Sequence, residues 1–476
     1  MNFTEFSFWW WLFLTIVSLS GVRQLARYLN LWQPSYDRIG LMILSLTLFW
    51  RAARASFIIF AFELIFNYAM VRLILRQQGS KAKVIAAITI VIDLAILIYY
   101  KYLNFLAEEV FGLAVGGVPD VWANNMAIPG IGGIPPGISF YTFQMVSFVV
   151  DSLNDKDKNQ VGFIDYINFA SFFPQVVAGP IERRSYLFPQ IESFYLKFSI
   201  KNIDTGLKWL VLGMFMKLVL ADNLAPHINL ENTSNAWIVW LSIYLFGLRI
   251  YFDFAGYSFI ALGIARIMGI KLTVNFLAPY ISQNIQEFWR RWHVTLSTWF
   301  RDYIFIPLGG SRLRQTALNI FIVFTISGLW HGAGWNFILW GCYHGCLLIL
   351  HRYIRQLLSF PKFLAWACTL FSVMFGWLFF METNLNHLLL KLQTLINFSS
   401  YSISNFQELA SMDDKYALFL ILVLAILVLA LEHIASWKDR KQVYRLLLIP
   451  RNVLIILSLV ILLAARESSQ FVYFLF

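Results

Sequence analysis

The sequence predicts an all-α protein that crosses a membrane many times. Three observations carry this prediction. Of the 476 residues, 59% are hydrophobic; only 13% are charged; and the apolar residues gather in runs separated by short basic stretches. A soluble domain carries about 25% charge. The balance therefore excludes an ordinary cytosolic enzyme, a disordered chain and a fibrous repeat. Spanning helices form one bundle, so 1–476 is read as a single integral membrane domain.

The elements follow in chain order. Glu5 is the only charge before Arg23, so the first apolar run, 6–19, lacks the basic start of a cleavable signal. Arg23 and Arg27 follow it, which places the N-terminus outside and the first loop in the cytoplasm. Further apolar runs lie at 39–50, 57–71, 84–100, 134–150, 161–178, 206–220, 236–251 and 254–270. The last fall at 317–329, 335–350, 363–381, 416–431 and 453–465. Several are shorter than the ~20 residues of a straight span, so about 11 spanning helices plus re-entrant and interfacial ones are expected. Basic residues 72–83 and 438–445 mark cytoplasmic loops, while 104–133 and 223–235 lack Lys and Arg and read as external. Arg51 and Arg54 break this alternation.

The net charge of +11 follows the positive-inside pattern, so no nucleic-acid partner is expected. Three cysteines, at 342, 346 and 368, give no disulfide framework and no zinc spacing, and no metal is expected. The Gly–Pro-rich stretch 128–137 and Pro174, Pro180 and Pro189 break up the middle of the chain. Irregular backbone at membrane depth must be buried or line a wet cavity, so a site is sought there.

Polar residues in apolar runs point to it. Glu63, Asp93 and Asp253 must pair, neutralise or face water. For Glu63 and Asp93, pairing with Arg51, Arg54 or Lys101 is the structural reading. Asp253, flanked by aromatics, serves either site architecture or helix packing. The densest polar stretch, 283–314, holds Glu287, Arg290, Arg291, His293, Arg301 and Asp302. Its Ile285, Trp289, Trp292, Leu296, Trp299 and Tyr303 recur at alternating spacings of four and three, the stripe of one interfacial helix. His293 borders that stripe, where a packed or hydrogen-bonded helix residue is the plain reading. His331 sits in Gly328-Leu329-Trp330-His331-Gly332-Ala333-Gly334-Trp335-Asn336, the expected turn of a helical hairpin. There it is either a functional imidazole or a turn histidine bonded to backbone. The three glycines permit close backbone approach to a ligand. His227, His344, His351, His387 and His433 read as interfacial.

Four stretches, taken together, carry a family resemblance: IPPGISFYTFQMVSFVVD (134–151), FFPQVVAGPIERR (172–184), NFLAPYISQNIQEFWRRWHVTLSTWFRDYIFIPLGGSR (275–312) and SGLWHGAGWNFILWGCYHG (327–345). With them the chain resembles the membrane-bound O-acyltransferase (MBOAT) family, and within it the membrane proteins of bacterial polysaccharide acetylation. The motif-bearing region is 134–351. The resemblance implies an MBOAT-like ring of helices around a central tunnel, and acyl transfer from a thioester donor to a hydroxyl. It implies that His331 of the Trp-His-Gly motif and His293 of the Arg-Arg-Trp-His motif are catalytic. A bacterial inner membrane, multi-pass location follows.

The chemistry is then an expectation. A hydroxyl is a poor nucleophile near neutral pH and needs a base within ~2.6–3.2 Å. Neutral imidazole, with its reference pKa of about 6.5, suits that task, and His331 is assigned it. Trp330, Asn336 or the amides of Gly332 and Gly334 would meet the oxyanion. His293 would orient the donor or stabilise charge. Arg290, Arg291 and Arg301 meet either the phosphates of a coenzyme A donor or lipid phosphates. Asp253 completes the set of candidate site residues. The expected donor is acetyl-CoA, with no cofactor bound. The expected acceptor is an extracytoplasmic polysaccharide, reached directly or through a periplasmic acetyltransferase partner. Membrane lipids are the remaining partner. The competing readings are D-alanyl transfer to teichoic acid, a transporter or flippase without acyl chemistry, and a scaffold for an export complex.

Overall fold

A computed structural model describes residues 3, 5–112, 134–155, 160–196, 199–228, 233–312, 315–357, 360–410, 415–439, 442–465, 469 and 471–472. Residues 128–133 of the Gly–Pro stretch, most of the acidic external segment, and Arg314, Arg440 and Lys441 lie outside these. The described residues are helical, with no strand among them. Six helices are long and apolar enough to cross a membrane: Phe6–Tyr28, Ser35–Arg76, Gly79–Val110, Ala236–Ile267, Lys362–Met381 and Lys415–Trp437. Thr316–His331 and Pro450–Leu463 are shorter apolar helices. At 1.5 Å per residue, the 16 residues of Thr316–His331 span about 24 Å, less than the ~30 Å hydrocarbon core.

The chain packs as two compact units. The first holds Met1–Leu207 and Ala261–Thr273. Its helices are α1 (Phe6–Tyr28), α2 (Pro34–Ala53), α3 (Phe57–Arg76), α4 (Gly79–Asn104), α5 (Ile138–Asn154), α6 (Phe163–Ser171) and α7 (Arg184–Glu192). α2 and α3 form one apolar stretch interrupted at Arg54, which has φ 52. α3 packs on α4, α4 on α5, and α2 on α6. Neither buried carboxyl meets Arg51 or Arg54 as expected. Asp93 accepts from Asn67 Nδ2 at 2.8 Å, while Arg51 lies 4.2 Å above the Trp11 ring. The first two signature stretches meet here. Gly137 opens α5 at φ +75 with its Cα against Val176 and Val177, so close that a Cβ would fall 2.7 Å from the Val176 carbonyl. Glu182, at the end of the second stretch, accepts hydrogen bonds from the Thr273 amide and hydroxyl. Burial raises its pKa to about 7.

The second unit holds Lys208–Ile260 and Val274–Phe476. α8 (Ile200–Met214) and α9 (Ala236–Ile267) contribute residues to both units. Its own helices are α10 (Ile285–Arg291), α11 (Val294–Phe300), α12 (Thr316–His331), α13 (Trp335–Leu357), α14 (Lys362–Met381), α15 (Leu385–Ile396), α16 (Ile403–Ala410), α17 (Lys415–Lys438) and α18 (Pro450–Leu463). α8 continues into a π-helical stretch, Phe215–Ala221. There Lys217, nearly enclosed, lies 2.7 Å from both Asp222 and Asp253. Residues far along the chain complete this knot. The Val472 amide donates to Asp253 at 2.7 Å, and the Ser469 hydroxyl donates to Asp222. Removing the lysine that both carboxylates pair with leaves two buried acids without their ion-pair partner, so Lys217→Met is expected to cost about 3–5 kcal/mol. Thermal unfolding in detergent checks this; an unchanged midpoint would show that the knot is not a determinant of stability.

Candidate active site

The segment expected to be one interfacial helix is two helices with a break at His293. α10 opens with Asn284, whose side chain accepts from the Glu287 amide at 2.8 Å, while Glu287 takes the Gln283 amide in return. It resembles the capping box, with the N3 carboxylate taking the amide before the N-cap instead of the N-cap amide. Glu287 also pairs with Arg291, four residues on, at 2.9 Å. Arg291 further donates to the Leu277 carbonyl at 2.9 Å. Trp292 then turns extended and His293 adopts φ 42, ψ 56. A left-handed conformation costs a non-glycine residue roughly 1–2 kcal/mol and persists only where its surroundings fix it. Here Asn275 supplies that constraint. Its carbonyl accepts from Val294 N, and its side chain accepts from the Thr295 amide and hydroxyl at 3.1 and 2.8 Å.

His293 becomes the N-cap of α11, its Nδ1 accepting from Leu296 N at 3.4 Å. An accepting Nδ1 leaves the ring proton on Nε2. The ring stands edge-on to Phe254 at 4.7 Å and lies 6.2 Å from the Trp330 ring. Burial lowers its pKa to about 3. In the unfolded chain the imidazole titrates near 6.5, so the unfolded state binds the extra proton between those values. His293 therefore adds nothing pH-dependent above about 6.5, and stability falls as pH drops from there toward 3. A His293→Gln protein should show a flatter acid limb in thermal unfolding, whereas an identical limb would contradict the buried neutral ring.

His331 is the last residue of α12, and α12 and α13 form the expected hairpin. Glycines let the two helices close on each other. A Cβ on Gly328 would fall 2.2 Å from the Phe337 carbonyl, and one on Gly341 would fall 2.3 Å from the Phe324 carbonyl. A Cβ on Gly332 would enter the Phe337 ring at 2.1 Å. Gly328 and Gly341 serve backbone-to-backbone packing of the hairpin, and Gly332 makes room for the Phe337 ring. The resulting contact sets the His331 ring edge-on to Trp330 and Trp340, both at 5.0 Å, and Phe380 at 5.3 Å. The ring is buried, at 4% exposure.

His293 and His331, 38 residues apart (331 − 293), line one cavity of about 660 Å³. Arg290, Arg301 and Arg352 also line it, and no described lining residue is a carboxylate. Arg301 is paired with Asp302 at 2.7 Å at the exposed side. Among the other sequence candidates, Arg291 is held by Glu287 and Leu277, and Asp253 by Lys217 and Val472. The Asn336 amide donates to the Phe379 carbonyl at 3.1 Å. These three, and Trp330, are not in the cavity lining. Sequence reasoning did not single out Arg352 or Ser297, which are. Nor did it expect His344 to be fully buried, with its ring 5.0 Å from Trp289 and 4.9 Å from Trp340. The signal was its position seven residues before His351 on an otherwise apolar face. Among the described residues, no group of three His, Cys, Asp or Glu side chains is placed to hold a metal ion.

A helical membrane protein with two buried imidazoles and three arginines on one cavity has the parts of a group-transfer site. The chain belongs to the membrane-bound O-acyltransferase family, whose sequence profile matches residues 1–391, and it is an O-acyltransferase. It is 32% identical over 419 residues to the peptidoglycan O-acetyltransferase of Helicobacter pylori, covering 79% of this chain and 77% of that one. It is 32% identical over 431 residues to the probable alginate O-acetylase of Azotobacter vinelandii, covering 87% and 82%. The teichoic acid D-alanyltransferase of Bacillus subtilis is 32% identical over a shorter 234 residues, 46% of this chain and 59% of that one.

Proposed function

We propose that the chain takes an acetyl group from a cytoplasmic thioester, acetyl-CoA, and moves it toward hydroxyls of an extracytoplasmic polysaccharide. Transfer is direct or through a periplasmic partner. The single observation that carries this is the shared cavity of His293 and His331 beside Arg290, Arg301 and Arg352. In this reading His331 takes the proton of the acceptor hydroxyl as its oxygen attacks the thioester carbonyl carbon. The carbonyl oxygen becomes an oxyanion, which the Nε2–H of His293 stabilises, while the Trp330 ring backs His331. Collapse breaks the carbon–sulfur bond, and His331 returns its proton to the departing thiolate. The arginines hold the donor's phosphates by charge-assisted hydrogen bonds. Asn336, Arg291 and Asp253 support the walls through the contacts they already make. About 11 spanning helices would surround a tunnel that admits donor and acceptor from opposite faces of a bacterial inner membrane, as the family resemblance implies.

The coverage of the two O-acetylating relatives favours acetyl over D-alanyl, whose relative matches under half of the chain. The test is the full chain in sealed vesicles, given acetyl-labelled acetyl-CoA and an oligosaccharide acceptor. Base-labile label on the acceptor supports the reading. Labelled donor or acceptor crossing without ester formation would make the protein a transporter. Ester formation only with a D-alanyl thioester carrier would move it to the other branch.

A further inference from the structure

A second cavity, of about 700 Å³, lies in the same unit but shares no residue with the one above. It is a groove between α14 and α17, floored by Tyr244 and Leu248 of α9. One wall runs along α14 from Lys362 to Met374 and the other along α17 from Ile426 to Trp437. Twelve residues (374 − 362) at 1.5 Å each make the groove about 18 Å long. A membrane leaflet contributes about half of the ~30 Å hydrocarbon core, so the groove is one leaflet deep. Its apolar walls are not closed by protein: Phe363 is 75% and Trp437 76% exposed.

The ends of the groove differ. Toward Met374 and Ile426 it is apolar. At the other end, the start of α14 and the end of α17 bring together Lys362, His433, Gln283 and Trp437. Lys362 is exposed and forms no ion pair among the described residues. The first backbone bond of α14 runs from Ala365 N to the Pro361 carbonyl, so the amides of 362–364 precede the helix ladder and add positive potential. No described lining residue is acidic. Glu432, nearby on α17, is buried and accepts the Tyr251 hydroxyl at 2.8 Å. The wall is fixed in place, because the Trp366 indole donates to the Tyr280 carbonyl at 2.9 Å. An indole-flanked cationic end above one leaflet of apolar groove matches the headgroup level of a bilayer.

We infer that this groove is a binding site for one anionic glycerophospholipid, its phosphate at Lys362 and the start of α14 and an acyl tail between α14 and α17. The inference stands apart from the acyl-transfer reading, since neither histidine of that site touches the groove. It is tested on the purified, delipidated full chain by native mass spectrometry. The chain is titrated with phosphatidylglycerol or with phosphatidylcholine of the same acyl chains. The wild type should retain one phosphatidylglycerol in preference to phosphatidylcholine. Lys362→Glu should weaken phosphatidylglycerol retention at least about fivefold, the effect of about 1 kcal/mol per cation at a membrane surface, and leave phosphatidylcholine unchanged. Ala430→Trp, at an exposed position in the groove, should block both. Equal retention of the two lipids, or phosphatidylglycerol retention untouched by either substitution, would overturn the inference. So would complete displacement by glycerol phosphate, which would make this a small-anion site rather than a lipid site.

Discussion

Replacing His331 with alanine is expected to abolish ester formation while the protein still reaches the membrane. The imidazole stands at the end of a hairpin whose packing is set by glycine backbone contacts and by the indole of Trp340. Its removal leaves a small cavity but does not release the helices. General-base catalysis alone contributes typically 10²–10⁴-fold, so acetyl ester content of the surface polymer should fall to background. The measurement is ester analysis of the polymer beside the membrane level of the protein. Wild-type ester content in a His331→Ala strain would remove the acyl-transfer mechanism proposed above.

The second large effect is structural. Gly328→Val should prevent the hairpin from closing. Its Cβ would meet a backbone carbonyl at 2.2 Å, which no side-chain adjustment relieves. α12 and α13 would have to part along the length that carries His331 at one end. Overpacking against flexible side chains costs typically 1–3 kcal/mol; against backbone the upper end, about 3 kcal/mol or more, is expected. Gly345→Ala is the contrast, since its Cβ would meet only the Phe324 side chain at 3.3 Å and Phe321 Cα at 3.4 Å. Detergent-solubilised Gly345→Ala should unfold near the wild-type temperature and Gly328→Val well below it. Equal midpoints would show that the hairpin is not held by this contact.

Much of this was legible in the sequence, for identifiable reasons. Apolar runs reveal helices whatever their tertiary neighbours, and Gly328 through Gly334 marked the turn because glycine and a lone histidine stand out against aromatic surroundings. The break at His293 was not legible. The stripe from Ile285 to Tyr303 keeps its three–four spacing through the break, since one left-handed residue reverses the chain direction without altering which residues are apolar. What imposes the break is Asn275, eighteen residues earlier (293 − 275), and a capping contact of that range leaves no periodic trace. The Lys217 knot was half legible. Asp253 signalled a partner, but Lys217 inside the run 206–220 drew no attention, and the knot also needs Ser469 and Val472, which pattern alone does not bring near. Arg291 looked equivalent to Arg290 in sequence; on a helix, one residue of rotation turns one guanidinium toward Glu287 and the other toward the cavity.

The contact between Phe471 and Phe254 has a consequence for biogenesis. Phe471 stacks on Tyr257 at 4.8 Å and meets Phe254 at 5.6 Å, and Phe254 in turn backs the ring of His293. A ribosome makes His293 178 residues (471 − 293) before it makes Phe471. The helices can enter the membrane one after another during that interval, yet the rear support of the imidazole arrives last. A half-made chain therefore lacks the backing of His293, and premature termination yields a protein that is inserted without it.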